Sequence, residues 1–196
     1  HGIYGNEGKL KLFLRKFFYT LADKLILYER RAKEKMIELG FDKNNLYVIF
    51  NSLNYKEQKK LYKKLSLNSG NYKFSFFNNN SLPVLIFMGR LTRVKKINLL
   101  IEAVKHINKQ NDKVNLLIIG DGEQRKYLEN ISKNQIDKTI SFFGECNDDK
   151  IIGEFIFNST LCVSPGNVGL TAIHSLSFGT PVLTHDNLNN QMPEVE

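Results

Sequence analysis

Cysteine is scarce in this chain of 196 residues: Cys146 and Cys162 are the only two. Neither has neighbours at metal-ligand spacing, and the pair fits a reducing cytoplasm in which both thiols are buried as small apolar groups. Long apolar runs are also missing. None approaches the ~20 residues that a helix needs to cross a bilayer. The opening HGIYGNEG lacks the basic segment and apolar core of a secretory leader. It also lacks an initial methionine, so a truncated start is expected. No carboxylate cluster is suited to Mg2+ or Mn2+, and no internal repeat is visible.

Positive charge is abundant and unevenly placed. The net charge is +8. Residues 1–66 hold fifteen Lys or Arg against seven Asp or Glu, whereas residues 67–196 hold thirteen of each, so the whole excess lies in the first third. Such a segment can face nucleic acid, an anionic membrane or an acidic substrate. Its Lys9 to Leu21 stretch reads as an amphipathic helix. Leu10, Phe13, Leu14, Phe17, Phe18 and Leu21 share one side, with Lys9, Lys11, Arg15 and Lys16 on the other. It either packs on a sheet with a solvated basic face or rests on an anionic membrane surface. No stacking or helix-turn-helix motif accompanies the charge, so nucleic acid is not expected as a partner.

Strand and helix patterns alternate along the chain. Residues 24–28 and 46–50 read as strands, with helices over 29–39 and 55–65. The polar, asparagine-rich stretch 67–82 reads as a linker between a first domain, 1–66, and a second, 83–196. In the second, strands are predicted over 84–88, 114–119, 140–143 and 161–163, and from Val182 onward. Helices are predicted over 94–108, 123–133, 148–157 and 170–178. Alternation of this kind implies an α/β fold with a doubly wound parallel sheet. Ligands then sit at the carboxyl ends of the strands, where every turn motif of this chain falls.

The richest motif is SPGNVGLTAIHSLSFGTPV, residues 164–182. Gly166 and Gly169 let the main chain approach a ligand closely. The amides of Val168, Gly169, Leu170 and Thr171 stand at a helix start, where an anion is favoured. The loop either binds a phosphate-like group or only turns the chain. Gly89-Arg90, followed by Lys95, makes a possible diphosphate clamp, or these are ordinary solvated charges. Gly120-Asp121-Gly122 is half of a dinucleotide fingerprint, with Arg125 where the third glycine belongs. It suits a tight turn lining a cleft. His185 beside Asp186 is a weaker cleft candidate, and His106 reads as helix surface.

FMGRLTRVKKINLLIEA, LLIIGDGEQRKYLE, ISFFGEC and SPGNVGLTAIHSLSFGTPV, in that order, resemble the C-terminal domain of glycosyltransferase family 4, retaining enzymes of the GT-B fold. HGIYGNEG, KLILY and VIFNSLNY resemble the back of that family's N-terminal domain. The resemblance implies two Rossmann-like domains, both incomplete, in a fragment whose isolated first third is poorly stable. It implies that Arg90 and Lys95 bind the donor's diphosphate and stabilise the leaving nucleoside diphosphate. Gly89 and the amides of Gly169, Leu170 and Thr171 share that task. Gly120, Asp121, Gly144 and Glu145 lie in the nucleotide cleft, and His1 faces the sugar and acceptor.

The family usually carries two glutamates eight positions apart in the last motif. Here those positions hold Gly166 and His174. His174 can still bond a ribose hydroxyl, or it is a partly buried helix histidine. Gly166 cannot act through a side chain, so Asn167 takes over. The implied activity is metal-independent and cofactor-free. A sugar moves from a nucleotide-sugar donor to a glycan or lipid-linked acceptor with retention, in the cytoplasm or on the inner face of a bacterial membrane, for surface polysaccharide. A non-catalytic nucleotide-sugar binder and a sugar-releasing epimerase are the other readings of the same fold.

Overall fold

The computed structural model describes residues 8–67, 72–110, 113–135 and 138–195. Two compact units divide them: one holds residues up to Asn51 together with Pro193 onward, the other Ser52–Met192.

In the first unit, helix α1 (Lys9–Thr20) is followed by strand β1 (Leu25–Leu27), helix α2 (Arg30–Glu38) and strand β2 (Leu46–Val48). The two strands pair in parallel, Leu25 opposite Leu46 and Leu27 opposite Val48. The sheet face carrying Leu27 and Leu46 packs on Met36 of α2. Its other face leaves Ile26 and Tyr47 exposed. The amphipathic pattern of α1 is present, but no residue of α1 is buried, and Phe13 and Phe18 are 67% and 65% exposed. Among the described residues α1 reaches the core of this unit through Tyr19, whose ring lies 6.4 Å from Phe41, while Leu10, Phe13, Leu14, Phe17 and Phe18 stay exposed.

The second unit opens with helix α3 (Tyr55–Leu67) and continues with β3 (Val84–Met88), α4 (Ile97–Lys109), β4 (Asn115–Ile119), α5 (Arg125–Ser132), β5 (Ile140–Gly144), α6 (Asp149–Phe157), β6 (Leu161–Ser164), α7 (Leu170–Ser177) and β7 (Val182–Thr184). The five strands form one parallel sheet in the order β5-β4-β3-β6-β7. VLIFM and NLLII are almost wholly apolar because both faces of a central parallel strand are covered by helices. On one side Ile97, Leu100, Ile101 and Val104 of α4, at i, i+3, i+4 and i+7, pack on Phe87, Leu116 and Ile118. On the other, Ile86 and Leu117 meet Phe155 and Ile156 of α6.

Two boundaries differ from the sequence reading. Helix α3 packs on α6 and α7 and so belongs with the second unit. Within the expected linker, Phe74 and Phe77 are core residues. Phe74 sits 5.8 Å from Phe155, ring centre to ring centre. Asn78, Asn79 and Asn80 are exposed while Phe74 and Phe77 supply apolar area, which is what holds the stretch down.

Candidate functional site

Strand order reverses beside β3: the chain winds out through β4 and β5, then returns to place β6 on the other flank of β3. A crevice opens at such a switch point, beyond the carboxyl ends of the strands. A cavity of about 650 Å3 lies there. Met88, Gly89 and Arg90 line it from β3, Gly120, Asp121 and Gly122 from β4, Glu145 and Cys146 from beyond β5, and Leu170, Thr171 and His174 from α7. Gly89-Arg90 and Gly120-Asp121-Gly122, two of the turn motifs expected to share one rim, line it, whereas Gly144 and residues 164–169 do not.

Glycine makes the close approaches. Gly120 has φ +132°, and a Cβ there would overlap the Gly89 carbonyl oxygen. Gly166 is buried, its N–H donates to the Lys95 carbonyl at 3.0 Å, and a Cβ would run into the Val94 carbonyl oxygen and lie 2.6 Å from Lys95 Cα. The glycine loop is stacked on the 3-10 turn Arg93–Lys95. This accounts for the missing side chain at the first of the two positions: main chain occupies the place of any side chain at 166.

The start of α7 is open. Its cap is Gly169, which offers no side-chain oxygen. The N–H groups of Gly169, Leu170 and Thr171 therefore keep no helical partner. Helix α6 differs, because Asp148 already accepts from its Lys150 and Ile151 amides at 2.8 and 3.3 Å. Val168 corrects the sequence reading. Its amide is buried and donates to Gln191 Oε1 at 2.8 Å, so it is not free for an anion. Thr171 Oγ1 donates to the Met88 carbonyl at 3.1 Å and pins α7 to the end of β3.

The cations differ in placement. Arg90 is exposed and lines the cavity. Lys95 does not line it: Nζ donates to the Asn167 carbonyl at 2.7 Å and holds the loop. It also lies in the 3-10 turn, not in the helix predicted from residue 94, because Lys96 takes φ +51° before α4 begins. Asn167 Oδ1 is buried without a hydrogen-bond partner. Gly144 has φ +93° and accepts from the Gly120 amide at 2.7 Å, which shapes the turn behind the cavity. Asp121 accepts from the Gly122 amide at 2.6 Å and lies 3.6 Å from Arg125.

His174 Nε2 lies within hydrogen-bond distance of Gln58 Oε1, at 3.1 Å. Burial pulls its pKa below the ordinary 6.5, against the opposing pull of Asp149. Cys162 is buried, and that raises its thiol to about 11. Cys146 is only half-buried and lines the cavity, which corrects the expectation of two inert buried thiols. His185 accepts from the Asn187 amide and His106 bonds Gln110 on the helix surface, and neither lines the cavity. His1 lies outside the described residues. No three His, Cys, Asp or Glu side chains come together as metal ligands among the described residues.

Gln191 was invisible to the sequence reading. Buried in the tail after β7, it takes the Val168 amide and donates Nε2 to Thr184 Oγ1 at 2.8 Å and the His185 carbonyl at 3.0 Å. It fixes the glycine loop to the strand beyond.

Residues 68–195 match the family described as glycosyl transferases group 1. The chain belongs to that family. It is 27% identical over 185 residues to an uncharacterised glycosyltransferase of Methanocaldococcus jannaschii, MJ1178, covering 92% of this chain and 45% of that protein. It is 32% identical over 115 residues to the alpha-monoglucosyldiacylglycerol synthase of Streptococcus pneumoniae, covering 54% of this chain and 25% of that one. Anabaena Alr3699/HepE, solved in complex with UDP-glucose, superposes with a TM-score of 0.55 at 18% identity, over 83% of this chain and 44% of that chain. The parallel α/β fold is thus that of GT-B glycosyltransferases. The chain spans about half or less of the length of these relatives.

Proposed function

We propose that this chain carries the donor site of a glycosyltransferase that moves a sugar from a nucleotide-sugar to a glycan or lipid-linked acceptor with retention, without a metal. The observation that supports this reading most is the convergence of Arg90 and the open α7 amides on one cavity at the switch point. Breaking the sugar–phosphate bond leaves negative charge on the nucleoside diphosphate. A guanidinium and fixed amide dipoles stabilise that charge without rearranging. Lys95 acts on the same phosphates at one remove, by holding Asn167 and the loop. Asn167, with an unsatisfied Oδ1, stands in for the side chain that Gly166 lacks. Anabaena HepE binds UDP-glucose, which places UDP-sugars first among donors to try.

Calorimetry with UDP, ADP, GDP and their glucose conjugates, in EDTA and in Mg2+, tests this. One diphosphate should bind equally in both buffers, and Arg90→Ala should weaken it at least about tenfold, the usual range for a charged hydrogen bond. Binding that requires Mg2+ would overturn metal independence. Binding with no sugar transfer to any acceptor would favour the non-catalytic reading suggested by the missing glutamates.

We also propose that α1 rests on the inner, anionic face of a cell membrane, where lipid-linked acceptors of surface polysaccharide are assembled. Its exposed Phe13, Phe17 and Phe18 lie beside Lys9, Lys11, Arg15 and Lys16, and the helix has no acidic residue. That pairing suits apolar insertion beneath anionic headgroups. No helix among the described residues is long and apolar enough to cross a membrane. The protein should sediment with phosphatidylglycerol vesicles at low salt and not with phosphatidylcholine vesicles, and Phe13→Ser/Phe17→Ser should abolish sedimentation.

A further inference from the structure

Among the described residues His174 is the one imidazole that lines the cavity. Gln58, its partner, does not line the cavity and is 4% exposed. It comes from α3, which lies outside the region matched to the family. A carbonyl oxygen can only accept. The 3.1 Å contact between Gln58 Oε1 and His174 Nε2 therefore puts the imidazole proton on Nε2. A neutral ring with its proton there carries a lone pair on Nδ1. Nε2 is engaged by a buried acceptor and the residue lines the cavity, so Nδ1 is the nitrogen left to accept from a ligand. The Phe178 ring, 5.7 Å away, and the buried Ser175 beside it complete the packing around this turn of α7.

We infer that Gln58 is a positioning residue for the donor site: it fixes His174 as the Nε2–H tautomer, so that Nδ1 accepts a hydrogen bond from a ribose hydroxyl of the bound nucleotide. This rests on the nucleotide-sugar reading above. A neutral acceptor suits a hydroxyl, which must donate, and disfavours a bare phosphate oxygen, which also accepts. The cavity wall thereby separates two parts of one ligand. Arg90 and the α7 amides take the anionic end, and His174 takes an uncharged donor.

The test uses the whole chain, labelled with 15N, and reads the imidazole nitrogens through their long-range couplings. His174→Asn assigns the signals. The wild-type ring should show a protonated Nε2 and an unprotonated Nδ1. Gln58→Glu keeps an acceptor and should keep that pattern. Gln58→Leu removes the acceptor and should give a tautomer mixture. In parallel, UDP, ADP and GDP are titrated beside their 2′-deoxy forms. The ribose form should bind about three- to tenfold more tightly, the worth of one neutral hydrogen bond. That ratio should fall to about one in Gln58→Leu and persist in Gln58→Glu. A wild-type ring protonated on Nδ1, or a ribose preference unchanged in Gln58→Leu, overturns the inference. The wild-type spectrum decides the tautomer even if Gln58→Leu does not fold. Failure of every nucleoside diphosphate to bind overturns the nucleotide-sugar reading and the ribose role together, while the spectrum still reports on Gln58.

Discussion

At the scale of the residue, His174 and Gly166 occupy the positions where the resembled family carries carboxylates, and each replacement has a different physical basis. Gly166 is imposed by main chain: Val94 and Lys95 fill the space that a side chain would need. His174 keeps a polar function in a setting that resists charge. Burial lowers its pKa below 6.5, so in the unfolded chain the ring takes up a proton first as pH falls. Its contribution to stability is full above about pH 6.5 and is lost as pH drops through the depressed native value. Thermal unfolding followed from pH 8 to pH 5 should show a falling melting temperature below about 6.5, and His174→Gln should flatten that segment of the curve. A native His174 titrating above 6.5 by NMR would contradict the assignment.

At the scale of the element, most strands and helices of the second unit were legible. A short continuous apolar run such as VLIFM, bounded by turn residues, reads as a covered strand, and INLLIEAV carries a helical stripe. What escaped was fixed by distant or unusual contacts. The 3-10 turn before α4 ends on Lys96 at positive φ, and nothing in VKKIN marks that conformation. The phenylalanines of 72–82 were hidden among asparagines. Gln58 and Gln191 are single amides whose partners lie 116 and 23 positions away, so no periodicity announces them. The rim residues were legible because glycine and arginine after a strand carry their own signal. The commitment of the Val168 amide was not. Gln191→Ala removes three hydrogen bonds, one of them to the glycine loop, and leaves the buried Val168 amide unsatisfied. It should cost about 1–3 kcal/mol in denaturant unfolding and loosen nucleoside diphosphate binding along with it. Unchanged stability would show that water replaces the amide.

At the scale of the whole molecule, apolar burial is unequal between the two units. Leu27, Met36 and Leu46 make the core of the first, whereas two layers of helix cover the five-stranded sheet of the second. Local opening follows buried apolar contact. Amide exchange by mass spectrometry should therefore be at least about tenfold faster in peptides spanning β1 and β2 than in those spanning β3 and β4. Equal protection would mean that the first unit draws stability from elsewhere. The glycine loop carries a different implication, for how such a protein can change. Where side chains line a wall, one codon alters what the wall accepts. Around Gly166 peptide backbone is wedged against peptide backbone, and the position carries no side chain to exchange. Change there has to act through neighbours such as Asn167, or by reshaping two segments at once.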